Sequence, residues 1–219
     1  MSRAASSRHS ERRLELLKAA FREVAVKGFS EVTLDDIARR AGVAKGVTLY
    51  YFPSKEELFR ELFAWLIDSI HRRMREAVAA ESDPSAKLHA LVGLIFPSPS
   101  KNRAFFRAYV DFCGLASRRE SFREVGERFY AGCRDIDRRL VEEGIAAGTF
   151  AVRDADEAAS TMRAIFDGLM MQWLTERDPE TTFDGYRSRC ERELTRYLTC
   201  GRAEERGKRN ERREGRDRA

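Results

Sequence analysis

The chain has 219 residues, a formal net charge of +5, 35% charged residues and only five prolines. That length buries one good core, or a medium core beside a small domain, and scarce proline favours helix throughout. No apolar run approaches the length of a bilayer span, and Ser2 to Arg13 lacks the apolar segment of a secretory leader. A cytoplasmic protein without a membrane partner is expected.

The charge is unevenly placed. Residues 1–53 carry ten Lys/Arg against six Asp/Glu, and residues 201–219 carry eight against five, which leaves 54–200 at −2. A basic end on a mildly acidic body suits a protein that holds nucleic acid at one end. The tail after Gly201 lacks apolar residues and reads as a disordered, solvated charge run.

In chain order, Ser10 to Val26 predicts the first helix, with Leu14, Leu17, Phe21 and Val24 on one face and Gly28 ending it. Thr33 then precedes Asp35 and Asp36 and an apolar pattern at Leu34, Ile37, Ala38 and Ala41. A hydroxyl N-cap with acids in the first turn satisfies free N–H groups and the positive helix end, and Thr33 with Asp36 fits a capping box. Gly42 supplies the left-handed turn, with Val43 plugging the gap between helices. A short helix from Ala44 or Lys45 to Tyr51 follows, too short to be stable without packing. Pro53 stops it, and Ser54 with Glu57 caps the next. Two short helices about a glycine turn make a helix-turn-helix, whose second helix enters the major groove of DNA. Its outer face is expected to carry Lys45, Gly46, Thr48, Tyr50 and Tyr51, residue types suited to phosphate contact and close backbone approach.

Residues from about Arg12 to Phe59 resemble the N-terminal domain of the TetR family of bacterial transcriptional regulators. The likeness lies in Leu16–Phe21, Lys27-Gly28-Phe29, Thr33–Ala38, Ala41–Gly46 and Tyr50–Leu58. It covers about a quarter of the chain. One position departs from the family pattern. Leu49 stands three residues before Phe52, where the family has tyrosine, and Thr48 replaces the usual aliphatic before it. Either Leu49 takes a core role, or the register of this helix differs by one residue. The candidate DNA-binding set is Thr33, Ala44, Lys45, Gly46, Thr48, Tyr50, Tyr51 and Lys55.

Helical patterns continue at Ser54 to about Ala80, Lys87–Phe96, Lys101 to about Leu115, 119–147, Ala155–Thr175 and Phe183–Cys200, with breaks at Ser82-Asp83-Pro84, Pro97–Ser100 and Asp178-Pro179. No strand pattern or repeat is present, so the fold class is all-α. The expected organisation is a reading head over 1–53, a helical body over 54–200 and the basic tail.

The resemblance implies that this body binds a small effector and forms the homodimer. The wide apolar faces of the last two helices suit a four-helix bundle between two subunits, although such faces also close a monomer core. The candidate interface is Met162, Ile165, Leu169, Trp173, Phe183, Tyr186, Cys190 and Leu194. A candidate apolar cavity is drawn from Phe63, Phe105, Phe106, Tyr109, Phe112, Phe166, Met170 and Trp173, within a wider aromatic set that includes Phe129 and Tyr130. An apolar or amphipathic effector is expected.

Cys113, Cys133, Cys190 and Cys200 show no C-x-x-C and no histidine at ligand spacing, so no metal and no cofactor are expected. No nucleophile–base pair, phosphate loop or metal constellation stands out, which argues against an enzyme. A purely structural helical protein would not need the basic head with its tyrosines. The reading favoured is a repressor of a palindromic double-stranded DNA operator, released by a small molecule.

Overall fold

The computed structural model describes residues 3–200, all of whose regular elements are α-helices: α1 Arg3–Lys27, α2 Leu34–Ala41, α3 Lys45–Tyr51, α4 Lys55–Ala79, α5 Pro84–Ile95, α6 Pro99–Ala116, α7 Glu120–Ala146, α8 Ala155–Leu174 and α9 Pro179–Thr199. The expected disordered tail of 201–219 lies outside the described residues.

The helix breaks fall where expected, and three of the prolines in them are first-turn residues of the helices that follow. Pro84, Pro99 and Pro179 open α5, α6 and α9, where a missing N–H costs nothing and the fixed φ is already helical. Asp83, Asp154 and Asp178 accept bonds from the first-turn amides of α5, α8 and α9. The first helix begins at Arg3, well before the expected Ser10.

Two compact units form. One gathers the described residues up to Ile70 with Ser100–Tyr130; the other gathers His71–Pro99 with the described residues from Ala131 on. The division falls within α4 and within α7 and groups α6 with the helix-turn-helix. The first unit packs Leu16, Ala20, Val24, Ile37, Phe52, Leu58, Phe59 and Leu62, all essentially without exposure. Burying each large apolar side chain contributes about 1.5–3 kcal/mol.

In the second unit Trp173 and Phe183 meet edge to face at 5.3 Å, and the Trp173 indole donates to the Pro179 carbonyl at 2.8 Å. Edge-to-face geometry matches the ring quadrupoles, and the indole N–H has its partner. Most of the candidate interface closes this core. Met162, Leu169, Trp173, Phe183, Cys190 and Leu194 are buried within the single chain, and only Ile165 and Tyr186 keep partial exposure. The wide apolar stripes turn inward because α8 and α9 pack on each other and α9 also packs on α5.

Candidate nucleic-acid interface

The reading head is assembled by caps and charges. The Thr33 hydroxyl accepts the Asp36 amide at 3.1 Å while the Asp36 carboxylate accepts the Thr33 amide at 3.0 Å, completing the capping box. Gly42 adopts φ 67°, and the Val43 amide donates to the Ala38 carbonyl at 3.0 Å. This closure fixes the angle at which α3 leaves α2.

An ionic network ties α2 to α1. Lys27 bridges Glu23 and Asp36 at 3.1 and 2.9 Å, and Arg40 reaches Glu23 at 2.5 Å. Bonds from Lys27, then from Thr33, hold the Asp36 carboxyl far below the usual carboxylate range. Burial alone would raise the Glu23 carboxyl, but the Arg40 and Lys27 bonds more than offset it, and the net shift is downward. The Lys27 ammonium is correspondingly raised by Asp36 and Glu23.

On α3, Lys45, Gly46, Leu49 and Tyr50 face solvent, and Tyr50 is 74% exposed. Ala44 is exposed at its N-cap, Thr33 is exposed on the neighbouring cap, and Tyr51 is half-buried. The Lys45 ammonium pairs with Asp35 at 2.8 Å, which orients it across the α2–α3 corner. Thr48 corrects the expected outer face. It is fully buried, its hydroxyl finds no partner, and Leu49 is 40% exposed instead. Thr48 therefore fills the inward aliphatic slot, and Leu49 takes the outward one. A buried Thr48 does not reach DNA.

Lys55 is also engaged inside the head. Its ammonium lies 4.6 Å from the centroid of the Phe29 ring and donates to the Ser30 carbonyl at 3.2 Å, and desolvation lowers its pKa. It secures the end of α1 to the start of α4 more than it offers a free cation.

His9 is the residue that sequence reasoning missed. Its ring lies 4.6 Å from that of Tyr51 and 6.3 Å from that of Tyr50, and the two tyrosines meet each other at 5.2 Å. One turn on, the Arg13 guanidinium lies over Phe52 at 5.0 Å and pairs with Glu61. The i, i+4 stripe His9–Arg13 was the available signal, hidden because the first helix was expected to begin at Ser10.

In the same unit Phe63, Leu66, Ile67 and Ile70 of α4, Phe105, Tyr109 and Phe112 of α6 and Phe129 of α7 line a partly open, apolar cavity of about 20 Å³. That space takes about one water-sized sphere. Tyr109 and Tyr130 share a 2.5 Å hydroxyl contact. Of the candidate cavity residues, Phe63, Phe105, Tyr109 and Phe112 line this space, while Phe106 is buried beside it. Phe166, Met170 and Trp173 are fully buried in the other unit and do not line it. Leu66, Ile67 and Ile70 are not in the candidate set; they lie on α4 three, four and seven residues after Phe63, a stripe that serves a core equally well. Among the described residues no three His, Cys, Asp or Glu side chains converge on a metal position, and no helix is long and apolar enough to cross a membrane.

Residues 84–199 match the family model of the C-terminal domain of BetI-type transcriptional repressors, more than half of the chain, and residues 16–62 match that of bacterial regulatory proteins of the tetR family. The chain belongs to the TetR family. It is similar to the regulator BetI of Agrobacterium fabrum, 34% identical over 114 residues, or 52% of this chain and 55% of that protein, so the match spans about half of BetI. It is also similar to the repressor KstR2 of Rhodococcus jostii, 30% identical over 66% of this chain and 71% of that one. Among solved structures, a Saccharomonospora viridis protein described as a transcriptional regulator, in complex with choline, is 26% identical, with TM-score 0.76 over 83% of this chain and 94% of that one. A TetR regulator from Haloarcula marismortui shares the fold at 20% identity, with TM-score 0.75 over 86% of this chain and 97% of that one. TetR-family proteins are transcriptional regulators, not enzymes, and this chain is one of them.

Proposed function

We propose that this regulator is a repressor that binds a palindromic operator as a homodimer and leaves it when a small effector occupies the aromatic cavity. In this reading residues 1–53 hold the reading head, 54–200 bind effector and dimerise, and the protein acts in the cytoplasm. The observation that carries DNA reading is the exposed face of α3, where Lys45, Gly46, Leu49 and Tyr50 stand together on a head fixed by its capping box and ionic network. Lys45 and the tyrosine hydroxyls suit phosphates, and Leu49 suits the methyl group of thymine.

The cavity supports an apolar or amphipathic effector. Its lining offers ring faces and no carboxylate, so affinity would come from apolar contact and from ring–cation attraction. The likeness to a choline-bound structure brings quaternary ammonium compounds into this class. At about 20 Å³ the cavity must widen to admit any such molecule, so effector would select a conformer in which α4 and α6 move apart. Those two helices also hold the head, which is how occupation would alter its grip on DNA.

The test is an electrophoretic shift on fragments of genomic DNA at two salt concentrations, repeated with quaternary ammonium and neutral apolar compounds. Release by ~10–100-fold corresponds to a coupling of about 1.4–2.7 kcal/mol. Ile67→Trp fills the cavity and should abolish the response while retaining the shift. An unchanged response in that variant would move the effector elsewhere.

A further inference from the structure

We propose that His71, Met74 and Cys133 form a binding site for a soft monovalent metal ion of the Cu(I) class, inside the unit that does not contain the reading head. Cys133 Sγ lies 3.7 Å from His71 Nε2 and 3.9 Å from Met74 Sδ. All three side chains are buried: Cys133 fully, Met74 at 1% exposure and His71 at 7%. Metal bonds of about 2.3 Å to sulfur and about 2.0–2.1 Å to nitrogen, opened by about 110–120°, place sulfur and sulfur about 3.8–4.0 Å apart and sulfur and nitrogen about 3.6–3.8 Å apart. Both observed separations fall in or beside these ranges. His71 and Met74 stand three residues apart on α4, so one helix presents both toward the Cys133 position on α7.

The donor set selects the ion. Thiolate with thioether suits copper in its lower oxidation state, and imidazole accepts copper as well. Charge selects in the same direction. A Cys133 thiolate with a monovalent ion is neutral as a pair, which suits a buried site where Arg163 already hydrogen-bonds Cys133, whereas Zn²⁺ would add further positive charge there. On binding, the thiol proton leaves to solvent as the sulfur–metal bond forms; the ion enters as Cu(I) and no electron is transferred. The backbone makes room for the imidazole. A Cβ at Gly132 would stand 2.2 Å from His71 Cε1, so the ring fits only because residue 132 has no side chain.

The experiment uses the full chain with Cys113→Ser and Cys200→Ser, which removes the two more accessible thiols. Anaerobic titration with Cu(I) against a chromophoric chelator should give one ion per chain. Met74→Leu, a volume-conserving change, should weaken binding at least 10-fold at unchanged helical content, and Cys133→Ser at least 100-fold. X-ray absorption should show two sulfur ligands and one nitrogen. Undiminished binding in Met74→Leu, or a Cu(I) ion lost only with Cys190→Ser, would overturn the site. If Cys133→Ser does not fold, Met74→Leu and the ligand shell decide.

Discussion

Asp111 on α6 accepts the backbone N–H of Phe29 at 2.7 Å, across 82 residues of sequence. Phe29 follows Gly28, whose φ of 80° ends α1, so this bond holds the chain where it turns from α1 toward the helix-turn-helix. The neighbouring Phe112 and nearby Tyr109 line the apolar cavity. A single helix thus presents the cavity wall and an anchor of the head, a physical link that one α6 displacement would move at both ends.

Replacing that anchor tests the link. Asp111→Ala leaves the Phe29 amide without its acceptor and should cost about 1–3 kcal/mol of stability. It should also shrink the effector's influence on operator affinity. Denaturant unfolding reads the first effect, and an effector titration of the gel shift reads the second. A full effector response in a destabilised variant would deny α6 this role.

Contact with DNA is tested on the exposed face. Lys45→Ala should weaken operator binding similarly for related sequences and lower the salt slope by about one. Tyr51→Phe and His9→Ala should weaken it too, because the His9 ring packs against Tyr51 at a tilted 4.6 Å and supports the tyrosine pair. Wild-type affinity in all three, measured by fluorescence anisotropy, would show that DNA sits on another face.

Thr48→Val should stabilise the protein by about 1 kcal/mol. The Thr48 hydroxyl is fully buried and unpartnered, and an unsatisfied buried polar group costs about 1–3 kcal/mol. Valine keeps the shape and removes the cost. Operator affinity should not change, since the side chain faces inward; a loss of affinity would contradict its placement.

Local signals carried most of the head. The Thr33–Asp36 capping box and the Gly42 turn are short-range chemistry, and both are present as expected. The candidate cavity and interface rested on apolar stripes at helical spacing, which say that a face is buried but not against what. Met170 and Trp173 look the same in sequence as Phe63 and Phe112, yet the two pairs lie in different units. The Thr48–Leu49 choice was closed to sequence because a threonine in an aliphatic slot reads as polar. Asp137 was invisible for the opposite reason: among so many surface acids, nothing marks the one whose neighbours leave it no partner.

Asp137 gives the pH prediction. It is fully buried, neither oxygen has a hydrogen-bond partner, and burial pushes its carboxyl up to about 7, with Arg163 lowering it and Asp167 raising it. The native state therefore keeps a proton that the unfolded chain releases near pH 4. Between about pH 4 and 7 the native state binds more protons, so this group makes stability fall as pH rises. Asp137→Asn removes that contribution. The variant should gain on wild type from pH 4 to 7 in thermal or urea unfolding, and the gain should level off above pH 7. A constant difference across that range would refute the assignment.

The dimer prediction follows from what α8 and α9 leave uncovered. The inward stripes are spent within the chain, so Leu169→Glu or Trp173→Glu would unfold it without testing association. The outer face of α8 carries Thr161, Ala164, Ile165, Gly168 and Met171, half-buried or exposed and spaced mostly at three and four. Tyr186 and Tyr197 stand partly exposed on α9. Ala164 and Gly168 are small enough to permit close helix approach, and a Cβ at Gly168 meets nothing within 4 Å of the single chain. Gly168→Glu and Met171→Glu should therefore leave the monomer folded, with its helical content intact. Both should give monomers in light scattering at micromolar concentration, and both should lose the operator, because a two-fold site needs two heads. A monomeric wild-type chain, or dimers that survive both substitutions, would place the association surface elsewhere.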